Sequence, residues 1–508
     1  VEHFERALGR VALWATRSPR DGDTSQTGEF VQRLRVYPHA IRARNAYYSP
    51  DRVALLLGYF NAQDTDSDTV LPGGLVFTAL SHDIIAHETT HALLDGLHPR
   101  FREITNRDAP AFHEAFADVV ALFQHFTMPE ALRQAIASTR GDLGGKSNLL
   151  AQLAVQFGKA TGRRGALRDA IGRIEGNTWQ PREPRPSDYA SANEPHERGA
   201  VLVAAVFDAF LQIYRARGAD LLRLATGGSG VLPTGDIPVD LVNRLADEAS
   251  KSARHVLGMC IRALDYCPPV DINFGEYLRA LVTADRDVVP DDQLSYRVAF
   301  IAAFRDRGIY PADVKSLSVD SVSWEPPPLP LGNVPHVLQQ MNLDWDLTTN
   351  RRRAYEYSVK NAETMQRWLL DESEVANEEF EALGFFRAAP AEWEIGGVSG
   401  ALSQIEVHSV RPARRVGPSG QAQADLVVEI TQNFQPHDPS VPGFRGGCTL
   451  LIDLARRQVR YLVRKRVDSA PRFASQQKFA ASLDQDPRSA YFTRLRVGDE
   501  PFALLHAG

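Results

Sequence analysis

The stretch HDIIAHETTHALLDGLHPRFREITNRDAPAFHEAFADVV, residues 82–120, determines how the rest of this chain is interpreted. Its apolar residues recur at helical spacing, and glycine and proline follow where the pattern stops. A helix is therefore predicted from about Gly74 to Leu97. A second helix is predicted from Ala111 to Phe126, opening after an aspartate and a proline. Both predicted helices carry ionisable residues among apolar ones.

The first of these helices contains HETTH at residues 87–91. Residues four apart lie one turn from each other on the same helix face, so the imidazoles of His87 and His91 can reach one metal ion. Glu88 points beside that face, where it can deprotonate a zinc-bound water, whose pKa the metal lowers toward about 7. Because this short pattern also occurs by chance in helices, a third ligand is needed to support it.

Two residues compete for the third ligand position, because a catalytic zinc site uses three protein ligands and keeps one position open. His98 would require the pattern HExxHxxGxxH, but Leu94 and Leu97 stand where that pattern needs glycine and histidine. Glu114, in HEAFAD, lies on an apolar helix face, where a carboxylate needs a compensating charge such as a metal. Asp118, one turn further, is placed to accept the free N–H of a ligating histidine. The predicted zinc ligands are therefore His87, His91 and Glu114.

HETTH followed by HEAFAD resembles the thermolysin-like gluzincins, zinc peptidases whose pattern is HExxH, a spacer and then ExxxD. Upstream, NAYYSPDRVALLLGYF at Asn45–Phe60 is similar to the family's edge strand, which implies that Asn45 and Ala46 hydrogen-bond to bound peptide. Downstream, PHERGAVLVAAVFDAF at Pro195–Phe210 is similar to the family segment in which a histidine precedes a helix. That likeness implies that His196 stabilises the oxyanion of the tetrahedral intermediate.

The resemblance, which covers roughly residues 40–311, implies a zinc-dependent endopeptidase with Zn²⁺ as cofactor and a peptide or protein as substrate. It implies that Glu88 is the general base and that Ile84 helps to line an apolar pocket beside the metal. A preference for an apolar residue just after the scissile bond follows. The implied fold is α+β, with a thermolysin-like two-lobed catalytic unit: a β-rich lobe over about 1–130 and a helical lobe over 131–311.

The oxyanion site departs from the family pattern. The family places a tyrosine between HExxH and the third ligand, but residues 92–113 contain none, and Tyr189 is a candidate replacement. The carboxylate that orients His196 stays open at this point, because Asp188 and Glu194 both lie near it in the sequence.

Calcium, which is common in this family, favours clustered oxygen ligands. Asp64, Asp66 and Asp68 alternate, but no glycine turn or closing glutamate follows them. A solvated acidic turn is the better interpretation, so Ca²⁺ is not supported by a clear motif.

Three regions are predicted along the chain: a catalytic domain over 1–311, a proline-rich linker over 312–335 and a smaller α+β domain over 336–508. The first 80 residues are predicted as strands. Helical patterns recur later in the catalytic domain, over 147–171, 199–217, 238–264 and 274–307.

The prolines of WEPPPLPLGNVP, Trp324–Pro335, prevent helix propagation and favour an extended linker. Helices are predicted from there to Phe386, and TLLIDLARRQVRYLVRKRV at Thr449–Val467 is predicted as a hairpin. Nothing in residues 334–508 indicates a site. This domain is therefore expected to recruit substrates, to cover the cleft or to bind a regulatory partner.

The composition is that of a folded globular protein, with 44% hydrophobic and 24% charged residues. The net charge of -6, from 57 basic and 63 acidic residues, predicts neither nucleic acid nor membrane as a partner. Three widely spaced cysteines favour a reducing compartment, so cytoplasmic localisation is predicted, and the arginine-rich composition indicates a bacterial source. Secretion is the alternative, because the sequence begins with Val1 rather than Met.

Two other functions use the same residues. An aminopeptidase would share the zinc ligands, but it needs a carboxylate cluster for the free amine of its substrate, often within a GxMEN segment, and none occurs. A catalytically silent binding or regulatory protein would keep the metallopeptidase fold only as a scaffold. The complete set of core residues counts against this second alternative, and the missing tyrosine counts for it.

Overall fold

The computed structural model describes residues 1–17, 28–62, 73–144, 172–175, 178–343, 350–387, 392–417, 420–483 and 500–506. The protein is 49% helical and 18% strand, which confirms a mixed α+β fold. The α-helices are α1 (Glu2–Leu8), α2 (His82–Leu97), α3 (Asp108–Gln124), α4 (Pro129–Thr139), α5 (Asp188–Ser191), α6 (Pro195–Ala225), α7 (Val239–Ala263), α8 (Phe274–Val288), α9 (Tyr296–Asp306), α10 (Val319–Val322), α11 (Val334–Gln339), α12 (Arg351–Leu370), α13 (Asn377–Ala382), α14 (Ala470–Leu483) and α15 (Pro501–Leu505). The β-strands are β1 (Arg35–Ile41), β2 (Ala46–Ser49), β3 (Ala54–Asn61), β4 (Leu75–Phe77), β5 (Gly172–Glu175), β6 (Thr178–Pro181), β7 (Trp393–Ile395), β8 (Val398–Leu402), β9 (Glu406–Val416), β10 (Ala422–Pro436), β11 (Phe444–Asp453) and β12 (Gln458–Lys465).

Strands β1 to β4 form one sheet, in which β3 lies between β1 and β2 and also pairs with β4. β1 runs parallel to β3, whereas β2 runs antiparallel to it, with Ala46 opposite Leu57. The strands predicted in this region are therefore confirmed. The prediction is wrong for residues 2–8, which form helix α1, because Phe4 and Leu8 are four apart and are both buried on one helix face.

Helices α2 and α3 pack side by side in the core and carry the motif residues. α3 is buried along its length from Asp108 to Phe123, so its charged side chains lie away from solvent. α6 packs closely on α3: a Cβ atom on Gly199 would lie 3.0 Å from the carbonyl oxygen of Ala111, which favours glycine there. This close approach brings the start of α6 near the part of α3 that carries Glu114.

The helical predictions are confirmed for α6 to α9, which pack against one another behind α3. The helix predicted over 147–171 lies outside the described residues. Within the described part of the chain, α6 alone is long and apolar enough to span a membrane, but 78% of its apolar window is buried inside the protein. Such burial is typical of the core helix of a folded domain.

After the proline-rich segment, helices α11 to α13 and a six-stranded sheet form the C-terminal half. The sheet has the order β12-β11-β10-β8-β7, with β9 paired to β10. The predicted hairpin is confirmed as β11 and β12, with Leu450 opposite Leu462. α12 packs on β9, and apolar side chains between the helices and the sheet form a second core.

Buried ion pairs join the two halves of the protein. Asp265, just after α7, lies between Arg10 and Arg415, with its Oδ1 atom 2.6 Å from Arg10 Nη2. All three side chains are nearly inaccessible to solvent. If the two halves moved apart, Arg415 would leave this cluster and buried charges would lose their partner. That cost holds the two halves in one arrangement.

A second buried cluster anchors the C-terminal sheet to the end of α2. Glu429 on β10 has its Oε1 atom 2.7 Å from both His98 Nδ1 and Arg411 Nη2. Arg411 also donates to the carbonyl oxygen of Leu97, the last residue of α2, at 2.7 Å. Burial opposes the charge of Glu429, but Arg411 and His98 outweigh it and lower the pKa of this carboxyl to about 2. His98 therefore belongs to this anchor, and among the described residues it is not part of the group that could hold a metal ion.

Replacing Glu429 with Gln is expected to destabilise the protein by about 3–5 kcal/mol at neutral pH, because it breaks a buried ion pair. A carboxyl whose pKa is lowered in the folded state loses its stabilising charge as pH falls from the unfolded to the folded pKa. The difference from the native protein should therefore shrink by about 1.4 kcal/mol per pH unit below about pH 4.3. Urea unfolding across this pH range measures the effect. Glu406→Gln, at an exposed acid of the same half, is the control, and equal effects of the two substitutions would contradict the prediction.

Candidate metal centre

The two histidines of α2 and the glutamate of α3 converge on one buried point. His87 Nε2 and His91 Nε2 are 3.0 Å apart, as expected for residues one helical turn from each other. Glu114 Oε2 lies 3.6 Å from His87 Nε2, and Glu114 Oε1 lies 3.6 Å from His91 Nε2. Their exposed fractions are 3%, 0% and 2%, so water does not screen these groups from one another. The structure thus brings together the three predicted ligands.

The tautomers of the two imidazoles follow from their other nitrogens. His87 Nδ1 lies 2.8 Å from Asp118 Oδ1, and a carboxylate oxygen accepts, so Nδ1 carries the proton. His91 Nδ1 faces His113 Nδ1 at 3.4 Å, and burial lowers the pKa of His113 to about 3, so that ring is neutral and can accept. When both rings are neutral, their Nε2 atoms present lone pairs to each other at 3.0 Å. A cation between them removes this repulsion, so the donor set fits a metal ion.

The charged side chains around His87, His91 and Glu114 also favour a cation at this position. Burial opposes a charged His87, but Asp118 and Glu114 outweigh it and raise the pKa of this imidazole to about 10. Burial alone would also raise the pKa of Glu114, but His506, His196 and His87 hold it well below its usual value. A proton and a metal ion compete for the same lone pairs. The carboxylates that favour the proton at His87 therefore also favour a metal.

A fourth side chain, which the sequence does not predict, completes the group. His506 Nε2 lies 3.3 Å from Glu114 Oε1, and one donor atom each from His87, His91, Glu114 and His506 all lie within 4.8 Å of one another. The expectation that nothing in residues 334–508 contributes to a site is therefore wrong. No periodic pattern connects a single histidine in PFALLH to Glu114, because their contact depends on folding across 392 positions.

Glu88 lies between the metal ligands and strand β2. Its Oε2 atom accepts a hydrogen bond from the backbone N–H of Tyr48 at 2.9 Å. Its Oε1 atom lies 3.1 Å from His506 Nδ1. The Tyr48 hydroxyl donates to Asp95 on α2 at 2.8 Å, which ties the strand to the helix. One carboxylate oxygen is thus held by the strand, and the other faces the four-residue group.

His196, predicted from the resemblance, reaches the same place from the start of α6. Its Nε2 atom lies 3.5 Å from Glu114 Oε2, and its Nδ1 atom lies 2.7 Å from Glu194 Oε1. The choice left open between two orienting carboxylates is thereby decided for Glu194, which also caps α6. Asp188 instead contacts Arg307 and Arg182.

Tyr189 does not face the metal ligands through its hydroxyl. The hydroxyl donates to Asp108 at 2.6 Å, and the guanidinium of Arg198 stacks 3.9 Å from the centre of its ring. Arg198 is buried, pairs with Asp108 and donates to the carbonyl oxygens of Tyr189 and Ala192. These contacts support the loop before α6, so Tyr189 acts as a support in this structure and not as the missing oxyanion donor.

The residues predicted to bind substrate contact other residues of the same chain. Asn45 Nδ2 donates to the carbonyl oxygen of Ala503 at 3.2 Å, and the carbonyl oxygen of Ala46 lies 2.8 Å from His506 Nδ1. Ile84 is buried in the main apolar core. The aspartates weighed as calcium ligands, at 64, 66 and 68, lie outside the described residues.

No family model and no curated protein matches this sequence, and no solved structure matches its fold. The chemistry of the site is therefore inferred from its own side chains. The site consists of two imidazoles and a carboxylate around one point, with a second carboxylate and two further histidines beside them. These residues are His87, His91, Glu114, Glu88, His196 and His506.

If a metal ion such as zinc binds here, replacing Asp118 with Asn is expected to weaken its binding about 10–100-fold, because the imidazole of His87 loses the carboxylate that holds its proton and orients its ring. Competition with a chromophoric chelator measures the affinity. Asp83→Asn is a matched control, since Asp83 on α2 also pairs with a partly buried histidine, His125, at 2.7 Å. Similar affinities of the two variants would show that Asp118 does not support the metal ligand.

Proposed function

We propose that this chain is a zinc-dependent endopeptidase of the thermolysin-like kind, with β1 to β4 and α2 in one lobe and α6 to α9 in the other. The observation that supports it most is the convergence of His87, His91 and Glu114 on one buried point, with Glu88 and His196 on its two sides. Each of these five residues has a separate role in peptide hydrolysis, whereas a purely structural metal site would need neither Glu88 nor His196.

Zinc is the metal proposed for this centre. Two imidazole nitrogens and one carboxylate are the donors of catalytic zinc sites that keep a position open for a water molecule. Zinc bound there would polarise the substrate carbonyl and lower the pKa of a water molecule. The imidazole nitrogens favour zinc over calcium and magnesium, which prefer oxygen ligands.

Glu88 is the proposed general base. Because its Oε2 atom is held by Tyr48, its Oε1 atom is the one that can accept the proton of the attacking water. The same oxygen then returns that proton to the leaving amine. Proton transfer by a positioned carboxylate typically contributes about 10²–10⁴-fold to a rate.

His196 is the proposed oxyanion donor. Burial would raise the pKa of Glu194, but its hydrogen bond to His196 lowers it, so this carboxylate stays charged and favours a protonated imidazole. The Nε2–H of that imidazole points toward the metal ligands, where charge develops on the substrate oxygen. β2 pairs with β3 alone among the described strands, so its other edge can bind substrate backbone through Asn45 and Ala46.

Replacing Glu88 with Gln is expected to lower the cleavage of an N-acetylated, fluorescence-quenched peptide by about 10²–10⁴-fold while zinc stays bound. Zinc content and thermal unfolding are measured alongside, because Glu88 also holds Tyr48. Glu130→Gln, at an exposed acid of α4, is the control. The blocked amine excludes an aminopeptidase as the source of the signal. Full cleavage by zinc-loaded Glu88→Gln would mean that the assigned base is wrong.

Replacing His196 with Gln is expected to lower kcat by about 10²–10³-fold and to leave KM nearly unchanged, because an oxyanion donor acts in the transition state. Steady-state kinetics with the same peptide measures both constants. The exposed His437→Gln serves as control. Both activity tests are repeated in a His506→Ala background, since His506 contacts Glu88 in the native chain. A rise in KM alone would point to substrate binding instead.

A further inference from the structure

We propose that residues 500–506 are an inhibitory segment of this chain, in which His506 occupies the place that the reacting water and the substrate carbonyl would take. The inference rests on the proposed function and concerns the regulation of that same site. It is carried by contacts of the segment with the base, with a metal ligand and with the strand predicted to bind substrate.

The imidazole of His506 is oriented as a fourth metal ligand. Its Nδ1 atom lies 2.8 Å from the carbonyl oxygen of Ala46, which can only accept, so Nδ1 carries the proton. In the neutral ring Nε2 then has a lone pair, and this atom lies within reach of a metal ion held by Glu114 and the other two ligands. Catalytic zinc sites keep one position open, whereas sites with four protein ligands are closed. With His506 in place the centre has the donor set of a closed site.

The same ring also blocks the base. His506 Nδ1 lies 3.1 Å from Glu88 Oε1, the oxygen that Tyr48 leaves available. A water molecule that Glu88 could deprotonate beside the metal would need this space. His506 is 4% exposed and Glu88 is 3% exposed, so the described residues leave little of this carboxylate accessible to solvent.

The segment also uses the hydrogen-bonding groups predicted for substrate. Asn45 donates to the carbonyl oxygen of Ala503, and Ala46 accepts from His506. Ser49, at the other end of β2, donates to Glu500 at 2.8 Å. From these pairs, residues 500–506 run antiparallel along the edge of β2, where an extended peptide would add as a strand.

The segment is bound as a helix, which explains why it would inhibit without being cleaved. The N–H of His506 donates to the carbonyl oxygen of Phe502 at 2.9 Å, so backbone groups are used within the turn. A side chain, and not a peptide carbonyl, therefore faces the metal ligands.

Phe502 anchors the helix beside the metal ligands. Its ring centre lies 4.3 Å from that of His91, 5.4 Å from that of His113 and 5.9 Å from that of Tyr48. Both Phe502 and Leu505 are buried in the main core. To open the site, Phe502 and Leu505 must therefore leave the core, and the imidazole of His506 must move away from the metal ligands.

Access to the metal can be tested without measuring activity. In the cobalt-substituted full chain, acetohydroxamate is titrated while the visible absorption of the metal is recorded. If the native centre is open less than about a tenth of the time, acetohydroxamate binds His506→Ala at least about tenfold more tightly than the native chain. Phe502→Ala should shift the affinity in the same direction, and it provides a second variant if His506→Ala does not fold. His437→Ala is the matched control.

Inhibition is tested with the zinc-loaded proteins and the blocked peptide. His506→Ala is expected to raise kcat/KM at least about tenfold, by the same population argument. The peptide EPFALLH, residues 500–506, should inhibit the His506→Ala protein, whereas EPFALLA should not. Adding Glu88→Gln to His506→Ala should abolish the gained activity, which links it to this site.

The possible outcomes separate the two proposals. Equal acetohydroxamate affinity in the native and His506→Ala proteins overturns the inhibitory segment. Loss of the metal from His506→Ala also overturns it, since His506 would then be a structural ligand. Tighter acetohydroxamate binding by His506→Ala without peptide cleavage by any variant supports occlusion by the segment and overturns the proposed peptidase.

Discussion

The buried carboxylate of Glu114 is the constraint on which the centre of this protein depends. An ionised carboxylate at 2% exposure is costly unless nearby groups compensate it. Here the compensation comes from histidines of three other elements: His87 on α2, His196 on α6 and His506 just after α15. Segments far apart in the sequence must therefore meet at this point for the charge to be tolerated.

The surrounding helices hold that charge in place. α3 is buried along nearly its whole length, so Glu114 cannot turn toward water. Asp118, one turn after Glu114 on the same helix, contacts His87 on α2. Gly199 lets α6 approach the backbone of α3 closely enough to bring His196 beside Glu114. The packing of three helices thus determines the distances between the reactive groups.

The C-terminal half is connected to this centre twice. Glu429 and Arg411 bind the end of α2 through His98 and the carbonyl oxygen of Leu97. The segment at 500–506 then contacts the other face of the same site. The C-terminal half therefore both supports helix α2 and fills the space beside the metal ligands. It is suited to control the access of substrate to this site, which is the role we propose.

Much of the fold could be predicted from local pattern, and the errors have a common origin. Helices α2, α3 and α6 to α9 and the hairpin of β11 and β12 follow from periodicities of a few residues. Helix α1 was missed because so short an element shows little periodicity, and its apolar face is apparent only from its burial. Tyr189 and Glu194 lie five residues apart, yet only packing shows that the first supports a loop and the second orients His196.

The sequence by itself located the candidate metal ligands on α2 and α3, because helical geometry places residues four apart on one face whatever surrounds them. It also placed Glu88 next to His87 and Asp118 one turn from Glu114. Only the tertiary structure brought His506 to the same point and decided that Asn45 and Ala46 contact residues of their own chain. The physical reason is that a contact across hundreds of residues depends on the packing of the whole core, and no local spacing in the sequence encodes it.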